Sequence, residues 1–195
     1  MATMFRTLFL CLLLAGCASA PATRPATPVA PYAASIAFAG RIGVQFINRD
    51  GQPDSQNARF EWRQQPGLTE IALFSPLGDT VATLTVTPQR AVLVQGKAAP
   101  LEAPDVDSLT ARALGWSLPV SGLPLWVQGH ARARDGSAFV ASPAHDSVLT
   151  DDGWELRYVS WQEGASARPR RIDASRVTNV EAEKLTLRIV LDGSD

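Results

Sequence analysis

Few side chains in this sequence have the types and spacing that catalysis or metal binding requires. There are two histidines, His130 and His145, and both cysteines lie far away near the N-terminus. Two histidines are short of the four ligands that a zinc site usually takes. Ser121, His130 and Asp135 are the residue types of a hydrolase triad, but Ser121 lacks the Gly-x-Ser-x-Gly turn that exposes such a nucleophile. We therefore predict no metal site, no bound cofactor and no enzymatic activity.

The N-terminal segment has the pattern of a secretory signal. Arg6 precedes an apolar run at residues 8–15, far shorter than the roughly 20 residues that span a bilayer. The run ends in Leu14-Ala15-Gly16-Cys17, which resembles the bacterial lipobox. This resemblance implies cleavage after Gly16, a diacylglycerol on the Cys17 sulfur and an acyl chain on its new amino group.

Such processing has consequences for the mature chain. Cys11 would leave with the signal peptide, residues 1–16, so that the mature chain has no disulfide. Three acyl chains make a stable anchor, since each buried methylene contributes about 0.8 kcal/mol. Ala18 follows the lipidated cysteine, where lipoproteins retained at the inner membrane carry aspartate. By resemblance to those sorting rules, the protein is expected at the periplasmic face of the outer membrane.

The rest of the chain divides into a tether and one domain. Residues 17–35 are rich in proline and alanine, cannot form a core and are predicted to be an extended, lipid-anchored tether. Residues 36–195 are long enough for one domain. Overall, 46% of the residues are hydrophobic and the net charge is −1, which excludes a disordered polymer and a basic nucleic-acid binder.

The domain is predicted to be α+β. Residues 36–46 and 58–63 alternate between apolar and polar, as antiparallel strands against a core do. Two helices are predicted in the middle, one starting at Asp105 as N-cap and stopping at Gly115, and a short one ending at Gly129. This order of strands, helices and strands predicts one curved antiparallel sheet with helices on its concave face. The further strands are predicted at 69–74, 80–87, 90–95, 137–141, 154–161, 170–175 and 185–191.

Several blocks of the sequence resemble the LolB family of outer-membrane lipoprotein receptors. They occur in the family's order at residues 38–44 (FAGRIGV), 58–62 (ARFEW), 74–80 (FSPLGDT), 114–123 (LGWSLPVSGL), 125–129 (LWVQG) and 151–158 (DDGWELRY). The resemblance implies an incomplete antiparallel β-barrel, with helices covering an apolar cavity. It also implies a monomer that accepts lipoproteins from the periplasmic carrier LolA and inserts them into the inner leaflet of the outer membrane. Its partners would be LolA, lipoprotein acyl chains and outer-membrane phospholipid, with no nucleic acid.

An acyl-chain site needs apolar walls and few polar groups, since acyl chains bind by removing apolar area from water. Inward positions of the predicted strands and the helical segment supply candidates. The alternative is that these residues only pack a core, and the sequence does not separate the two. The candidates are Val44, Phe46, Phe60, Trp62, Ile71, Leu73, Leu84, Val86, Trp116, Leu118, Leu123 and Trp126.

An apolar residue lies where a polar one is usual, in the turn at residues 75–79. Pro76 and Gly78 favour a tight turn, yet the residue between them is Leu77. At an exposed tip Leu77 gains nothing in water, whereas entry into a bilayer would gain up to roughly 2 kcal/mol. The family resemblance implies that this leucine inserts cargo into the membrane; the alternative is that it folds back onto the core.

Two other functions fit the same patterns. One is a structural or assembly lipoprotein that binds a partner protein, and the other is a module that shuttles free lipid. A cavity larger than about 300 Å³ would favour lipid binding, whereas a filled barrel would favour assembly.

Overall fold

The alternating segments at the start of the domain form the longest pair of strands in the structure. The computed structural model describes residues 29–47, 50–114, 118–162, 167–177 and 184–193. Strand β1 (Ile36–Ile47) pairs antiparallel with β2 (Pro53–Gln65) along its whole length. On β2, Phe60 and Trp62 are buried and Arg59 is exposed, so the two faces predicted from the sequence are the inner and outer faces of a sheet.

The other strands extend this pair on both sides. In the described part of the chain, ten strands form one antiparallel sheet in the order β6-β5-β4-β3-β2-β1-β12-β11-β10-β9, while β7 and β8 pair separately. Strands β6 and β9 are the two edges and do not pair with each other, so the sheet is open. The predicted open antiparallel sheet with few helices is confirmed. The further strands are β3 (Leu68–Phe74), β4 (Thr80–Val86), β5 (Ala91–Gln95), β6 (Leu101–Ala103), β7 (His130–Arg132), β8 (Ala138–Val140), β9 (Ser147–Leu149), β10 (Glu155–Gln162), β11 (Arg168–Val177) and β12 (Lys184–Leu191).

Two short helices follow β6. Helix α1 (Val106–Leu114) begins after Asp105, whose carboxylate accepts hydrogen bonds from the Ser108 amide and hydroxyl, both at 2.7 Å. This is the predicted N-cap. The predicted stop at Gly115 lies outside the described residues. Helix α2 (Leu123–Trp126) is shorter than predicted, and a turn carries the chain on to Gly129, which has a φ of 81°. Neither helix, nor any other in the described ranges, is long and apolar enough to cross a bilayer.

The cap of α1 predicts a pH-dependent stability. Hydrogen bonds from the Ser108 backbone and side chain hold the pKa of Asp105 below its ordinary value. Because the pKa is lowered in the folded state, the stabilisation is present at neutral pH and is lost as pH falls through the folded-state pKa, below about 4. We expect Asp105→Ala to lower the thermal midpoint at pH 7 but not at pH 2. Asp105→Asn, which keeps an acceptor oxygen, is the control; equal midpoints for all three proteins at pH 7 would contradict the cap's role.

The half of the sheet formed by β10, β11 and β12 contains fully buried core residues. Leu156, Tyr158, Ile172 and Leu187 are fully buried there, and burial raises the pKa of Tyr158 well above its ordinary value. This half packs against α2 through aromatic side chains, with the Trp126 and Trp154 rings 6.0 Å apart. This half of the sheet therefore fixes α2 in place.

Residues 29–35, predicted as the end of the tether, pack against the domain. Val29 is buried, and its amide donates to the Ala141 carbonyl at 3.2 Å. The Gln128 side chain accepts from the Ala33 amide at 2.8 Å and donates to the Ala33 carbonyl at 3.1 Å. The Tyr32 hydroxyl accepts from the Gln64 amide at 2.6 Å. Among the described residues, contact with the domain is therefore already present at Val29, ahead of the predicted boundary at residue 36.

Candidate functional site

An apolar cavity of about 120 Å³ lies between the inner face of the sheet and the helices. Side chains from β1 to β5, from β12, from both helices and from the segments beside α2 line it. Among the described lining residues only Gln95 and Thr110 are polar, so a polar ligand would lose hydrogen bonds to water with little replacement. The apolar lining consists of Phe38, Ile42, Phe60, Trp62, Ile71, Leu73, Ala82, Leu84, Leu93, Leu109, Ala113, Leu114, Leu118, Val120, Leu123, Val127 and Ile189.

Three aromatic rings form one wall of this cavity. Phe38 on β1 stacks on Trp62 of β2, with ring centroids 5.6 Å apart and planes 19° apart. Phe38 also meets Phe60 edge to face, with centroids 5.9 Å apart. The three rings hold each other in place, because offset stacks and edge-to-face contacts are the favoured aromatic geometries. The wall is therefore fixed on the sheet side, opposite the helices.

Most of the predicted cavity residues lie together at this site. Seven of them line the cavity: Phe60, Trp62, Ile71, Leu73, Leu84, Leu118 and Leu123. Val44 and Trp126 are buried in the same core, and Phe46 and Val86 pack against it, but none of these four lines the cavity. Trp116 lies outside the described residues.

The four predicted residues that do not line the cavity show what an alternating pattern cannot predict. Val44 and Phe46 are on the same face of β1 as Phe38 and Ile42, which do line the cavity. Period-two patterning fixes the face of a strand but not the position along it at which the cavity lies. Phe38 and Ile42 could have been found from the same alternation, whereas Ala113 on α1 carries no sequence signal of a cavity wall.

The turn between β3 and β4 presents Leu77 to solvent, with 91% of its surface exposed. The Ser75 amide donates to the Asp79 carbonyl at 2.8 Å, and the Gly78 amide donates to the Ser75 carbonyl at 3.0 Å. The Ser75 hydroxyl accepts from the Leu77 and Asp79 amides, both at 3.3 Å. Gly78 has a φ of 94°, which favours glycine. The turn is thus well defined, and Leu77 does not fold back onto the core.

The three residues that could form a hydrolase triad each interact with other groups. The Ser121 hydroxyl donates to the Asp107 carboxylate, and His130 Nε2 lies 2.9 Å from the Ala30 carbonyl. Asp135 accepts from the amide and hydroxyl of Ser137. Within the described ranges, no three His, Cys, Asp or Glu side chains are grouped so that they could hold a metal ion.

Fold and site together define an open-sheet protein built around an apolar cavity, with an apolar side chain displayed on one turn. The family model described as outer membrane lipoprotein LolB matches residues 34–193, and the chain belongs to this family. The predicted family, its role as an outer-membrane lipoprotein receptor of the lipoprotein-localisation pathway and its outer-membrane location are thereby confirmed.

Similar proteins cover nearly the whole chain. The outer-membrane lipoprotein LolB of Cupriavidus necator is 37% identical over 186 residues, which cover 93% of this chain and 90% of that protein. LolB of Chromobacterium violaceum is 36% identical, with 94% of each chain covered. Among solved structures, a LolA superfamily protein from Nitrosomonas europaea aligns with a TM-score of 0.43 at 8% identity, covering 86% of this chain and 89% of that one.

Proposed function

We propose that the protein accepts lipoproteins from the periplasmic carrier LolA and inserts their acyl chains into the inner leaflet of the outer membrane. In this proposal it is held there by the diacylglycerol and acyl chain on Cys17 and acts as a monomer. It uses no cofactor and no covalent chemistry, because the acyl chains move from one apolar surrounding to another.

The observation that carries this proposal is the exposure of Leu77. A leucine on a hydrogen-bonded turn, with 91% of its surface in water, stabilises nothing within the domain. Entry into the acyl region of a bilayer would bury that surface and gain about 2 kcal/mol. Pro76 and Gly78 shape the turn that projects it. The turn would therefore bring the domain into contact with the membrane at the place where cargo leaves.

The cavity supports the acceptance of acyl chains by its chemistry more than by its size. Its lining is almost wholly apolar, and each Å² of apolar surface removed from water contributes about 25 cal/mol. Its volume of about 120 Å³ is below the roughly 300 Å³ of a typical ligand pocket, so by size alone it does not favour lipid binding over assembly. In the proposed mechanism the helices move away from the sheet to admit the chains. Helix α1 is suited to this, because it packs against β5 and the three-residue edge strand β6.

Depletion of the protein in its native bacterium tests the proposal against the alternatives. We expect other lipoproteins to accumulate in the periplasm in complex with LolA, because their acceptor is missing. An assembly lipoprotein or a shuttle for free lipid would leave this traffic unchanged. Normal arrival of lipoproteins at the outer membrane after depletion would therefore refute the proposed function.

A further inference from the structure

Three arginines surround a depression on the outer face of the sheet, next to the Leu77 turn. Arg41 lies on β1, Arg59 on β2 and Arg188 on β12, which are adjacent strands. The depression has a volume of about 380 Å³, and Pro76 of the turn forms part of its wall. We call this depression, with its three arginines, the arginine pocket.

Two of these arginines repel each other without compensation. Arg41 lies directly opposite Arg59 in the β1–β2 register, a placement that destabilises a sheet when the charges are alike. Among the described residues, no carboxylate oxygen lies within 4 Å of either guanidinium. This includes the carboxylate of Glu61, the next outward-facing residue on β2. The repulsion is therefore retained at a cost to the fold.

Three arginines on this face, one of them the pocket residue Arg188, lie near or opposite an acidic residue. Arg171 on β11 binds the Asp173 carboxylate at 2.6 Å, and Arg63 on β2 lies directly opposite Glu70 of β3. Arg188 reaches the same Asp173 at 3.6 Å. Within the arginine pocket, the arginines without an acidic partner among the described residues are therefore Arg41 and Arg59.

Gly43 and Asn57 also line the arginine pocket. The Asn57 side-chain oxygen would lie 2.7 Å from a Cβ atom at position 43, so the absence of a side chain at Gly43 is what lets this amide lie in the pocket. A small anion with several oxygens would find guanidinium groups around it and an amide beside it. The planar fork of arginine donors matches the geometry of phosphate oxygens.

The location of the pocket beside the Leu77 turn favours a membrane lipid as the source of the phosphate. Arg59 pairs with Phe74, and Leu77 lies three residues beyond Phe74, which is at most about 10 Å along the chain. Apolar side chains of surface-bound proteins enter about 5–10 Å below the boundary of headgroups and acyl chains. Arg59 is therefore close enough to the turn for its guanidinium to reach a lipid phosphate when Leu77 is in the acyl region.

We propose that the arginine pocket binds the phosphate group of a membrane phospholipid while Leu77 enters the acyl region. This inference rests on the proposed function, because it takes the Leu77 turn as the part that meets the bilayer. The site holds the domain against the headgroup layer and limits how deeply the turn enters.

A fluorescent probe on the turn tests the site without the carrier. The full-length acylated protein, with Leu77→Cys labelled by an apolar environment-sensitive dye, is placed in vesicles of phosphatidylethanolamine and phosphatidylglycerol or in phosphate-free vesicles of a neutral galactolipid. We expect Arg41→Gln with Arg59→Gln to reduce the inserted fraction of probe about tenfold in phospholipid vesicles and to have no effect in galactolipid vesicles. Arg63→Gln, on the same face but opposite Glu70, is the matched control and should behave as the parent.

The outcomes separate this inference from the function on which it rests. Equal insertion by the double variant and the parent in phospholipid vesicles would overturn the arginine pocket, whether or not Leu77 is needed for lipoprotein transfer. Thermal unfolding gives the check on folding: the double variant should be as stable as the parent or more so, since the like-charge pair is gone.

Discussion

Replacing Leu77 by glutamate should abolish insertion of lipoproteins into membranes while leaving folding and acyl-chain binding intact. The side chain is 91% exposed, and the turn is held by backbone groups and by Ser75, so the substitution removes no packing. In the bilayer the variant loses about 2 kcal/mol of apolar burial and adds a charge penalty of at least about 2.5 kcal/mol. Occupancy of the inserted state should fall on the order of a thousandfold.

A transfer assay measures this effect. Purified carrier loaded with a lipoprotein is mixed with the protein and liposomes, and the lipoprotein that becomes membrane-bound is followed over time. Val140→Glu is the control, because Val140 is also an exposed apolar residue but lies on β8, opposite His130. Unchanged transfer by the Leu77→Glu variant would rule out the role of the turn.

Filling the cavity should give the opposite combination of effects, a stable protein that no longer accepts lipoproteins. Ala113 lies on α1 and lines the cavity, so Ala113→Phe would place a ring in the space between helix and sheet. Filling an apolar void commonly adds about 0.5–2 kcal/mol to stability. The same ring would occupy the volume that acyl chains need, and we expect binding of a lipoprotein to fall at least tenfold.

Two measurements on the same sample are needed for this prediction. Thermal unfolding should show an equal or higher midpoint for Ala113→Phe, while gel filtration should show loss of the complex with a lipoprotein. Ala111→Phe is the matched control, since Ala111 is on the same helix but does not line the cavity. Retained lipoprotein binding by a stable Ala113→Phe variant would mean that the acyl chains bind elsewhere.

The strands that the sequence predicted well are those with apolar residues on one face. Phe60 and Trp62 alternate with charged residues, and β2 places them on opposite faces as expected. The first part of β2, from Pro53 to Asn57, was not predicted as strand because it has no apolar alternation; it is held by backbone pairing with β1. The three-residue strands β6, β7 and β9 were missed because they are too short to show a period.

The site was predictable where a residue contradicted its local surroundings. Leu77 stands out in a turn because turn tips are normally polar, and it is the most exposed of the large hydrophobic residues in the described ranges. The cavity walls carry no such contradiction, since a wall residue and a core residue are both apolar. The contact of residues 29–35 was missed for a similar reason: their composition is that of a tether, and their partners Gln64, Gln128 and His130 are distant in sequence.

The contact of Val29 with the domain fixes the end of the sheet at which the N-terminal segment joins it. Val29 bridges Ala167, four residues below the row of Arg171 and Arg41, whereas Leu77 is three residues above that row. Val29 and Leu77 are thus seven residues apart along the strand direction, which corresponds to about 23 Å. The twelve residues from Cys17 to Val29 reach at most about 40 Å. If Cys17 carries the proposed lipid anchor, a spacer of this reach is long enough to span the distance between the levels of Val29 and Leu77, and its length limits how far the domain can stand from the bilayer.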